Sequence, residues 1–414
     1  MADYDTSPAL DELLLDISTM IELSDHDRKI AASRYRKLKE FLLRPESHFA
    51  DVLEDDDTDS AIYAQGSMAT STTIVSGEND DRFDIDAIVD LVVPITWSDD
   101  EVLDKLYESL EGFPDAHEIE RCTRCVQIRF ATMHMDVTVL DRHSEPRQPR
   151  TGEIFHSPDE GPTERVKSNP YGFARWFRTS VTYPAREFEE SITASRKSLA
   201  VNRLSSRSTI AKVDQEELPP GVPSRVDAQE VIALKLMKRF LNLRYQNSEL
   251  KKPPSIYVAK MAVVAGYQYL GLTEQLDSLA YVIQEDMQNA INANCGPDRR
   301  NPSYTVEVLN DRWPATNVDR TAARDEMAAL RKSIQEIKEG SLTQISKMLT
   351  ELFGENVAKR SVEATLKRRT AGQGGTSSYQ EKGTGAVLGA SILPAPAIAK
   401  APKQDFHSGY YKNK

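Results

Sequence analysis

The sequence predicts an α+β protein with two lobes, a mixed sheet with flanking helices followed by an all-helical C-terminal lobe. Three observations predict this class. Apolar residues recur at helical spacing at the start of the chain, and the segments at 83–94, 121–130 and 133–140 carry strand patterns. After residue 227, helical patterns follow one another with few strand signals. The 414 residues also exceed the usual size of a single hydrophobic core.

The first lobe contains helices and strands in alternation. Periodicity predicts, in order, a helical segment at 8–45, strands at 61–64 and 83–94, a helix at 99–111, paired strands at 121–130 and 133–140, and an aromatic-rich helix at 169–183.

The second lobe is predicted to be helical. Residues 184–223 are polar and carry no assignable pattern. Asp227, with Glu230 three residues later, is typical of a helix N-terminus and predicts a helix at 231–245. Further helices are predicted at 255–270, 273–293 and 321–350.

A change in composition near residue 370 marks a third region. Gly-rich and Pro-Ala-rich stretches there cannot bury enough apolar surface to stay ordered. We therefore expect a sheet-containing lobe with N-terminal helices at 1–210, a helical lobe at 211–369 and a disordered tail at 370–414.

Composition indicates where in the cell the protein is expected and which kinds of partner it can bind. No apolar run approaches the roughly 20 residues of a membrane span, and the N-terminus lacks a secretory signal, so we expect a cytoplasmic protein with no membrane contact. Three cysteines do not make a disulfide framework, and Cys122 and Cys125 on one strand are expected on opposite faces. A net charge of −12 argues against a stable nucleic-acid partner but leaves small polyanions such as nucleotides.

Three aspartates carry the chemical signal. Side chains alternate along a strand, so Asp84 and Asp86 share one face, and Asp136 lies on a later strand. Two carboxylates about 7 Å apart on one face are costly unless positive charge lies between them. Hard carboxylate oxygens suit Mg²⁺ or Mn²⁺. His134, on the Asp136 face, is expected to be a packed or surface histidine, with a place in the lining of the pocket as the alternative.

A Gln65-Gly66-Ser67 segment precedes these strands. Glycine allows close backbone approach and the serine hydroxyl adds a donor, so the segment suits a phosphate. Followed by Asp84-x-Asp86 and Asp136, it resembles the signature of the DNA polymerase β-type nucleotidyltransferase superfamily.

A narrower resemblance concerns residues 66–74. Gly-Ser-Met-Ala-Thr-Ser-Thr-Thr-Ile is similar to a segment of the bacterial CD-NTases, the SMODS-type cyclic oligonucleotide synthases of anti-phage CBASS signalling. These are relatives of animal cyclic GMP-AMP synthase and oligoadenylate synthase. Asn301-Pro302 and the run from Asn310 to Trp313 resemble an element of that family's helical lobe. The resemblance covers about residues 10–365.

The resemblance implies a fold and a reaction. It implies a polymerase β-like catalytic lobe and an oligoadenylate-synthase-like helical lobe that closes the nucleotide cleft. The reaction would join ATP and GTP, or other nucleoside triphosphates, into a cyclic di- or oligonucleotide, cyclic GMP-AMP being the best guess, with release of pyrophosphate. Two Mg²⁺ ions, with Mn²⁺ as a substitute, would be held by Asp84 and Asp86, and one of them also by Asp136.

The resemblance also implies a nucleotide-binding set. It comprises Gln65, Gly66, Ser67, Thr72, Lys235, Lys238 and Tyr257. Lys235 and Lys238 lie three apart on one helix face and would reach the donor's phosphates, although a solvated helix face explains them equally well. Tyr257 would stack on a base, with packing in the core as the alternative.

The sequence also indicates which partners to expect and leaves two other functions open. A downstream effector would respond to the product, and the resemblance implies a regulatory partner or conjugation through the C-terminal tail. Two alternatives stay open: a nucleotidyltransferase that modifies a polymer or protein, and a catalytically silent nucleotide-binding sensor.

Overall fold

The computed structural model describes residues 7–53, 61–75, 82–142, 150–206, 227–372, 378–380 and 387–389. Thr6–Thr365 forms one compact unit, and Leu366–Lys414 belongs to another. In the described part of the chain, no helix combines the length and the apolar character that crossing a bilayer requires.

The N-terminal helical segment consists of two helices, α1 (Ser7–Ile21) and α2 (Asp25–Leu42). Ser24 separates them and caps α2. Its hydroxyl accepts a hydrogen bond from the Asp27 N–H, while the Asp27 carboxylate accepts one from the Ser24 N–H. This reciprocal pairing satisfies two N–H groups that a helix start leaves free.

Seven strands form one mixed sheet. They are β1 (Ile62–Gln65), β2 (Phe83–Leu91), β3 (Glu118–Arg121), β4 (Val126–Arg129), β5 (Met133–Arg142), β6 (Gly152–His156) and β7 (Glu164–Ser168). The order is β1-β2-β5-β4-β3, while β6 pairs with the end of β5 and with β7. The β2–β5 pairing is parallel and the other pairings of this sheet are antiparallel. The predicted α+β class with a mixed sheet is confirmed.

Alternation along β2 separates a core face from an open face. Phe83, Ile85 and Ala87 are fully buried, whereas the residues between them are not. After β1 comes a one-turn helix α3 (Gly66–Ala69), and α4 (Glu101–Leu110) follows β2. Helices α2 and α4 pack together, and α4 packs on the sheet, so the opposite face of β2 is left to form a site.

The strand predicted at 121–130 is instead a hairpin of β3 and β4. The Cys122 N–H donates to the Cys125 carbonyl at 2.8 Å, so the two residues close a tight turn. The expectation that they lie on one strand and point to opposite faces is therefore wrong. Both are free thiols, and they interact with each other.

Up to residue 372, the described part of the second half is helical, with one short hairpin of β8 and β9. Its elements and those leading into it are α5 (Pro170–Ser180), α6 (Arg186–Ser206), α7 (Gln229–Tyr245), α8 (Ser255–Ala265), α9 (Leu272–Asn292), β8 (Arg300–Asn301), β9 (Tyr304–Val308), α10 (Asn317–Glu339), α11 (Leu342–Phe353) and α12 (Glu355–Gly372). Their apolar core is separate from that of the sheet. Side chains of α1, α5 and α6 belong to it, although they precede the predicted boundary at residue 210.

Several helix boundaries differ from the prediction. Helix α6 lies in the segment to which no pattern was assigned, and α12 was not predicted. The helix predicted at 321–350 divides at Gly340, where Ser341 begins a new capping box. The helix predicted at 255–270 ends at Ala265, because Gly266 takes a left-handed φ of 65° that continues no helix.

The predicted cap at Asp227 is wrong. Helix α7 begins after Ala228 without a side-chain cap. The Asp227 carboxylate instead pairs with Arg196 of α6 at 2.7 Å, and Glu230 accepts a hydrogen bond from the Thr182 N–H. Long-range partners have replaced the local bonds that the sequence pattern suggests.

Little of the predicted tail is described. Strand β10 (Ser378–Gln380) pairs antiparallel with β11 (Val387–Gly389). Most of 370–414 lies outside the described residues, so disorder there stays a prediction.

Candidate active site

Strands β2 and β5 bring the three predicted aspartates together. In their parallel register Asp86 is the partner of Asp136, and Asp84 is the partner of His134. Neighbouring strands are about 4.8 Å apart, so these side chains share one face of the sheet as close neighbours. Asp84 is exposed, and Asp86 and Asp136 are half-buried.

All three aspartates line one cavity of about 470 Å³ between the sheet and the helical lobe. Most of the predicted nucleotide-binding residues line it too. They are Gln65, Gly66, Ser67, Thr72 and Lys238. The volume is in the range of small-molecule sites.

The carboxylates make the floor of the cavity strongly negative. Burial raises the pKa of Asp86 to about 7, and the charges of Asp136 and then Asp84 add to the rise. The pKa of Asp136 is also raised by burial, against a lowering hydrogen bond from Gln127. Since each ionised carboxylate makes the next harder to ionise, a cation here would relieve the repulsion.

The fit of a divalent metal rests on this donor set. Among the described residues, no three His, Cys, Asp or Glu side chains converge into a finished metal cage. The oxygen donors nevertheless suit Mg²⁺ or Mn²⁺, and after burial it is the charges of Asp136 and Asp84 that raise the pKa of Asp86. The site therefore fits a hard cation by its chemistry.

Gly66 brings the backbone close to the carboxylate of Asp86. Its φ is +58°, a left-handed value that favours glycine. A Cβ atom built at this position would stand 2.3 Å from Oδ2 of Asp86. The turn after β1 thus needs a glycine for two independent reasons.

Ser67 and Thr72 belong to a compact loop beside Gly66. The Thr72 N–H donates to the Ser67 carbonyl at 2.8 Å, and the Thr73 hydroxyl donates to the Ser67 hydroxyl at 2.9 Å. Helix α3 is a single turn within this loop. The Ser67 hydroxyl is therefore fixed at the cavity wall.

The two predicted lysines of α7 separate in the structure. Lys238 lines the cavity and donates to the Thr72 carbonyl at 2.8 Å. Burial lowers its pKa to about 8, Lys252 lowers it further, and Asp86 and Asp84 oppose this. Lys235 does not reach the cavity: its Nζ lies 2.7 Å from Oε1 of Glu22 in a buried ion pair.

Tyr257 is not at the site. It is fully buried in the helical core, where its hydroxyl donates to Oδ2 of Asp286 at 2.8 Å. Its ring packs against Trp313 at a centroid distance of 5.0 Å. The alternative of core packing holds for this residue, and base stacking does not.

The cavity lining includes residues to which the sequence analysis gave no role, among them Gln127, Asn242 and Lys252. His134 lines the cavity, as in the alternative to a packed or surface histidine, and its Nδ1 lies 3.7 Å from Oδ1 of Asp84. Lys252 donates to the Asn242 side chain at 2.6 Å. Gln127 could have been found, because strand alternation puts it on the face opposite the core.

The Asn301 and Asn310 motifs are structural. The Asn301 amide donates to the carboxylate of Glu307 at 2.6 Å and to the carbonyl of Asn169 at 3.1 Å. The Asn310 amide donates to the carbonyl of Trp313 at 2.9 Å. These bonds fix the β8–β9 hairpin and join it to the start of α5, whose residues line the cavity.

Comparison with known proteins finds a relative that is similar over nearly the whole chain. The cyclic dinucleotide synthase CdnG of Bradyrhizobium diazoefficiens is 28% identical over 408 residues, which cover 95% of this chain and 93% of that protein. No family model matches the sequence.

Solved structures extend the comparison to the fold. The structure of the Bradyrhizobium diazoefficiens CD-NTase CdnG in complex with GTP matches with a TM-score of 0.71 and 27% identity, over 87% of this chain and 99% of that one. The Vibrio cholerae cyclic AMP-GMP synthase DncV matches with a TM-score of 0.50 and 13% identity, over 81% of this chain and 93% of that one. This second likeness concerns the fold alone. With the sequence motifs and the shared architecture, these matches confirm the nucleotidyltransferase fold and the resemblance to the bacterial CD-NTases.

Proposed function

We propose that this enzyme joins ATP and GTP into a cyclic dinucleotide with release of pyrophosphate, cyclic GMP-AMP being the product to test first. The observation that carries the proposal is the meeting of Asp84, Asp86 and Asp136 in one cavity, opposite Lys238. The relative CdnG, named as a cyclic dinucleotide synthase and solved with GTP, supports the substrate class.

The aspartates prepare the two reacting groups. When bound by them, Mg²⁺ ions supply the positive charge that offsets the triphosphate and lowers the pKa of an attacking hydroxyl. Asp86 lies against Gly66, and Asp84 and Ser67 line the same cavity, so this side of the cavity would receive the donor triphosphate. Asp136 is on the neighbouring strand and faces the acceptor ribose hydroxyl. An in-line attack on the α-phosphate then forms the phosphodiester bond and expels pyrophosphate.

Lys238 and Lys252 supply protein cations to the same substrate. Both line the cavity, and burial, followed by the charge of Lys252, lowers the pKa of Lys238. A triphosphate bound near them would favour the charged form of Lys238 again, because an opposite charge stabilises an ammonium. Ser67, held by Thr73, offers one neutral donor to the phosphates.

Ring closure repeats the same chemistry. The linear intermediate carries a triphosphate at one end and a ribose hydroxyl at the other, which are the two groups that the first step uses. After it turns over in the cavity, its triphosphate lies on the Gly66 side and its hydroxyl on the Asp136 side. A second displacement closes the ring.

The biological setting follows from the family resemblance. In anti-phage defence the cyclic product would activate a downstream effector in the cytoplasm. Regulation through the tail at 370–414, by a partner or by conjugation, belongs to the same proposal. Deleting 373–414 and measuring product formation and phage protection in cells tests this part, and unchanged values for both would remove it.

The reaction is tested by following label from the nucleotides. Purified protein with α-³²P-labelled ATP, GTP and Mg²⁺ should give a small product that resists phosphatase. Label on a macromolecule would instead favour a polymer- or protein-directed nucleotidyltransferase. Nucleotide binding without turnover, across all four triphosphates, would favour a silent sensor.

A further inference from the structure

A chain of hydrogen bonds leads from the edge of the sheet to Asp136. The Gln127 side-chain amide nitrogen donates to Oδ1 of Asp136 at 2.9 Å, and the Arg129 Nε donates to the Gln127 side-chain oxygen at 2.8 Å. Gln127 is the register partner of Asp136 across the antiparallel β4–β5 pair. The contact is therefore built into the pairing of the two strands.

Arg129 fixes which way the Gln127 amide faces. A guanidinium has donors and no acceptor, so it bonds only to the amide oxygen. The amide nitrogen is then left to face Asp136, and Gln127 serves as a donor to that carboxylate. One oxygen of Asp136 is thereby engaged, and the side chain is held in one orientation at the cavity wall.

The outer end of the chain is anchored on β3. The two terminal nitrogens of Arg129 bond Glu118 at 2.8 Å and Glu120 at 2.5 Å. Since Nε bonds to Gln127, all three nitrogens of the guanidinium are engaged. Because β3, β4 and β5 are consecutive in the sheet, each link is a contact between neighbouring strands or along one strand.

We propose that Gln127, locked by Arg129, is a positioning residue that orients the Asp136 carboxylate for the divalent cation. This inference rests on the proposed function, in which Asp136 serves the attacking hydroxyl. Groups that hold metal-ligating side chains in place typically change metal affinity or activity 10–100-fold when removed. Gln127 touches Asp136 and lines the cavity, and its effect on the reaction passes through Asp136.

The test is Gln127→Leu, which keeps most of the side-chain bulk and removes the donor. Mn²⁺ alone is titrated into nucleotide-free protein and free Mn²⁺ is counted by electron paramagnetic resonance. The affinity should fall about 10-fold or more. In steady-state assays kcat should fall by a similar factor with the KM for the donor nucleotide nearly unchanged, since Asp84, Asp86 and Lys238 are intact.

Two further variants separate positioning from loss of structure. Ile128→Val, the neighbouring core residue of β4, should lower the melting temperature and leave Mn²⁺ affinity unchanged. Arg129→Met should weaken Mn²⁺ binding, and should add nothing when combined with Gln127→Leu, because the two act through one contact. Additive effects would mean that Arg129 acts independently.

The inference is overturned if Gln127→Leu binds Mn²⁺ as the unaltered protein does. The metal titration needs no turnover, so it decides the role of Gln127 even if no cyclic product is found. Failure of the proposed function would show as missing product with the Mn²⁺ difference still present.

Discussion

Gly66 stands against the carboxylate of Asp86, with room for a hydrogen and not for a methyl group: a Cβ there would lie 2.3 Å from Oδ2 and 3.1 Å from Cγ of Asp86. The contact joins the turn after β1 to the middle of β2. It explains why the glycine and the second aspartate occur together, since either the turn or the carboxylate would have to move if the glycine were larger.

Gly66→Ala should therefore cost both stability and activity. A left-handed alanine costs about 1–2 kcal/mol, and displacing a reacting group by about 1 Å costs on the order of 100-fold in rate. Gly112→Ala is the matched control, because its φ is +75° and a Cβ there meets nothing within 4 Å. Thermal melts and product assays on both should show similar destabilisation and a loss of activity for Gly66→Ala alone. Equal activities would show that the contact is unimportant.

The stability of the metal-free protein should depend on pH because of Asp86. Its pKa rises from about 3.9 in an unfolded chain to about 7 in the folded one. Between these values the folded state binds one proton more than the unfolded state, so this group makes the free energy of unfolding fall as pH rises from about 4 to 7. Melting temperatures in EDTA from pH 4.5 to 8 should show this decline, and Asp86→Asn should reduce it. Parallel curves for the two proteins would contradict the burial of this charge.

Replacing Lys235 or Lys238 with methionine should have opposite effects on stability and activity. Lys235→Met removes one of the two cations that Glu22 pairs with in the described part of the chain, in a buried site, which should cost about 3 kcal/mol. Lys238→Met removes a desolvated cation from the cavity, so stability should change by less than about 1 kcal/mol while kcat/KM falls by about 10-fold or more. Urea unfolding and steady-state assays of both variants check this. The assignment is wrong if Lys235→Met is the variant that loses activity while staying stable.

Tyr257→Phe tests the placement of that ring in the core. The change removes one hydrogen bond to Asp286, which keeps its Arg299 partner, so we expect a loss of about 1–2 kcal/mol. Activity per folded molecule should not change, because the ring lies away from the cavity. A large change in the KM of either nucleotide at unchanged stability would return Tyr257 to the site.

The sheet and its aspartates could be predicted because the signal is local. Alternation along 83–91 fixes which residues share a face, and Asp84 and Asp86 follow from it. The parallel pairing of β2 with β5, which makes Asp86 the neighbour of Asp136, depends on contacts about 50 residues apart and no local pattern carries it.

The wrong predictions concern residues that are placed by contacts far apart in the sequence. Lys235 and Lys238 share a helical spacing, but Glu22, over 200 residues earlier, takes one of them into a buried ion pair. The Asp227 cap failed because Arg196 competes for its carboxylate. Lys252 joins the cavity from a loop, where spacing predicts no orientation. Local patterns thus predicted two of the carboxylates that line the cavity, while the cations around them are placed by tertiary contacts.

We propose that this enzyme makes a cyclic dinucleotide and that it needs the three aspartates of the cavity to do so. Mass spectrometry of reactions with ATP, GTP and Mg²⁺, followed by nuclease digestion to assign 2′–5′ and 3′–5′ bonds, tests it most directly. Asp136→Asn, checked for an unchanged fold by circular dichroism, is the comparison. We predict a cyclic dinucleotide from the unaltered enzyme and none from the variant. A cyclic product from Asp136→Asn, or only unreacted nucleotides from the unaltered enzyme, would contradict the account.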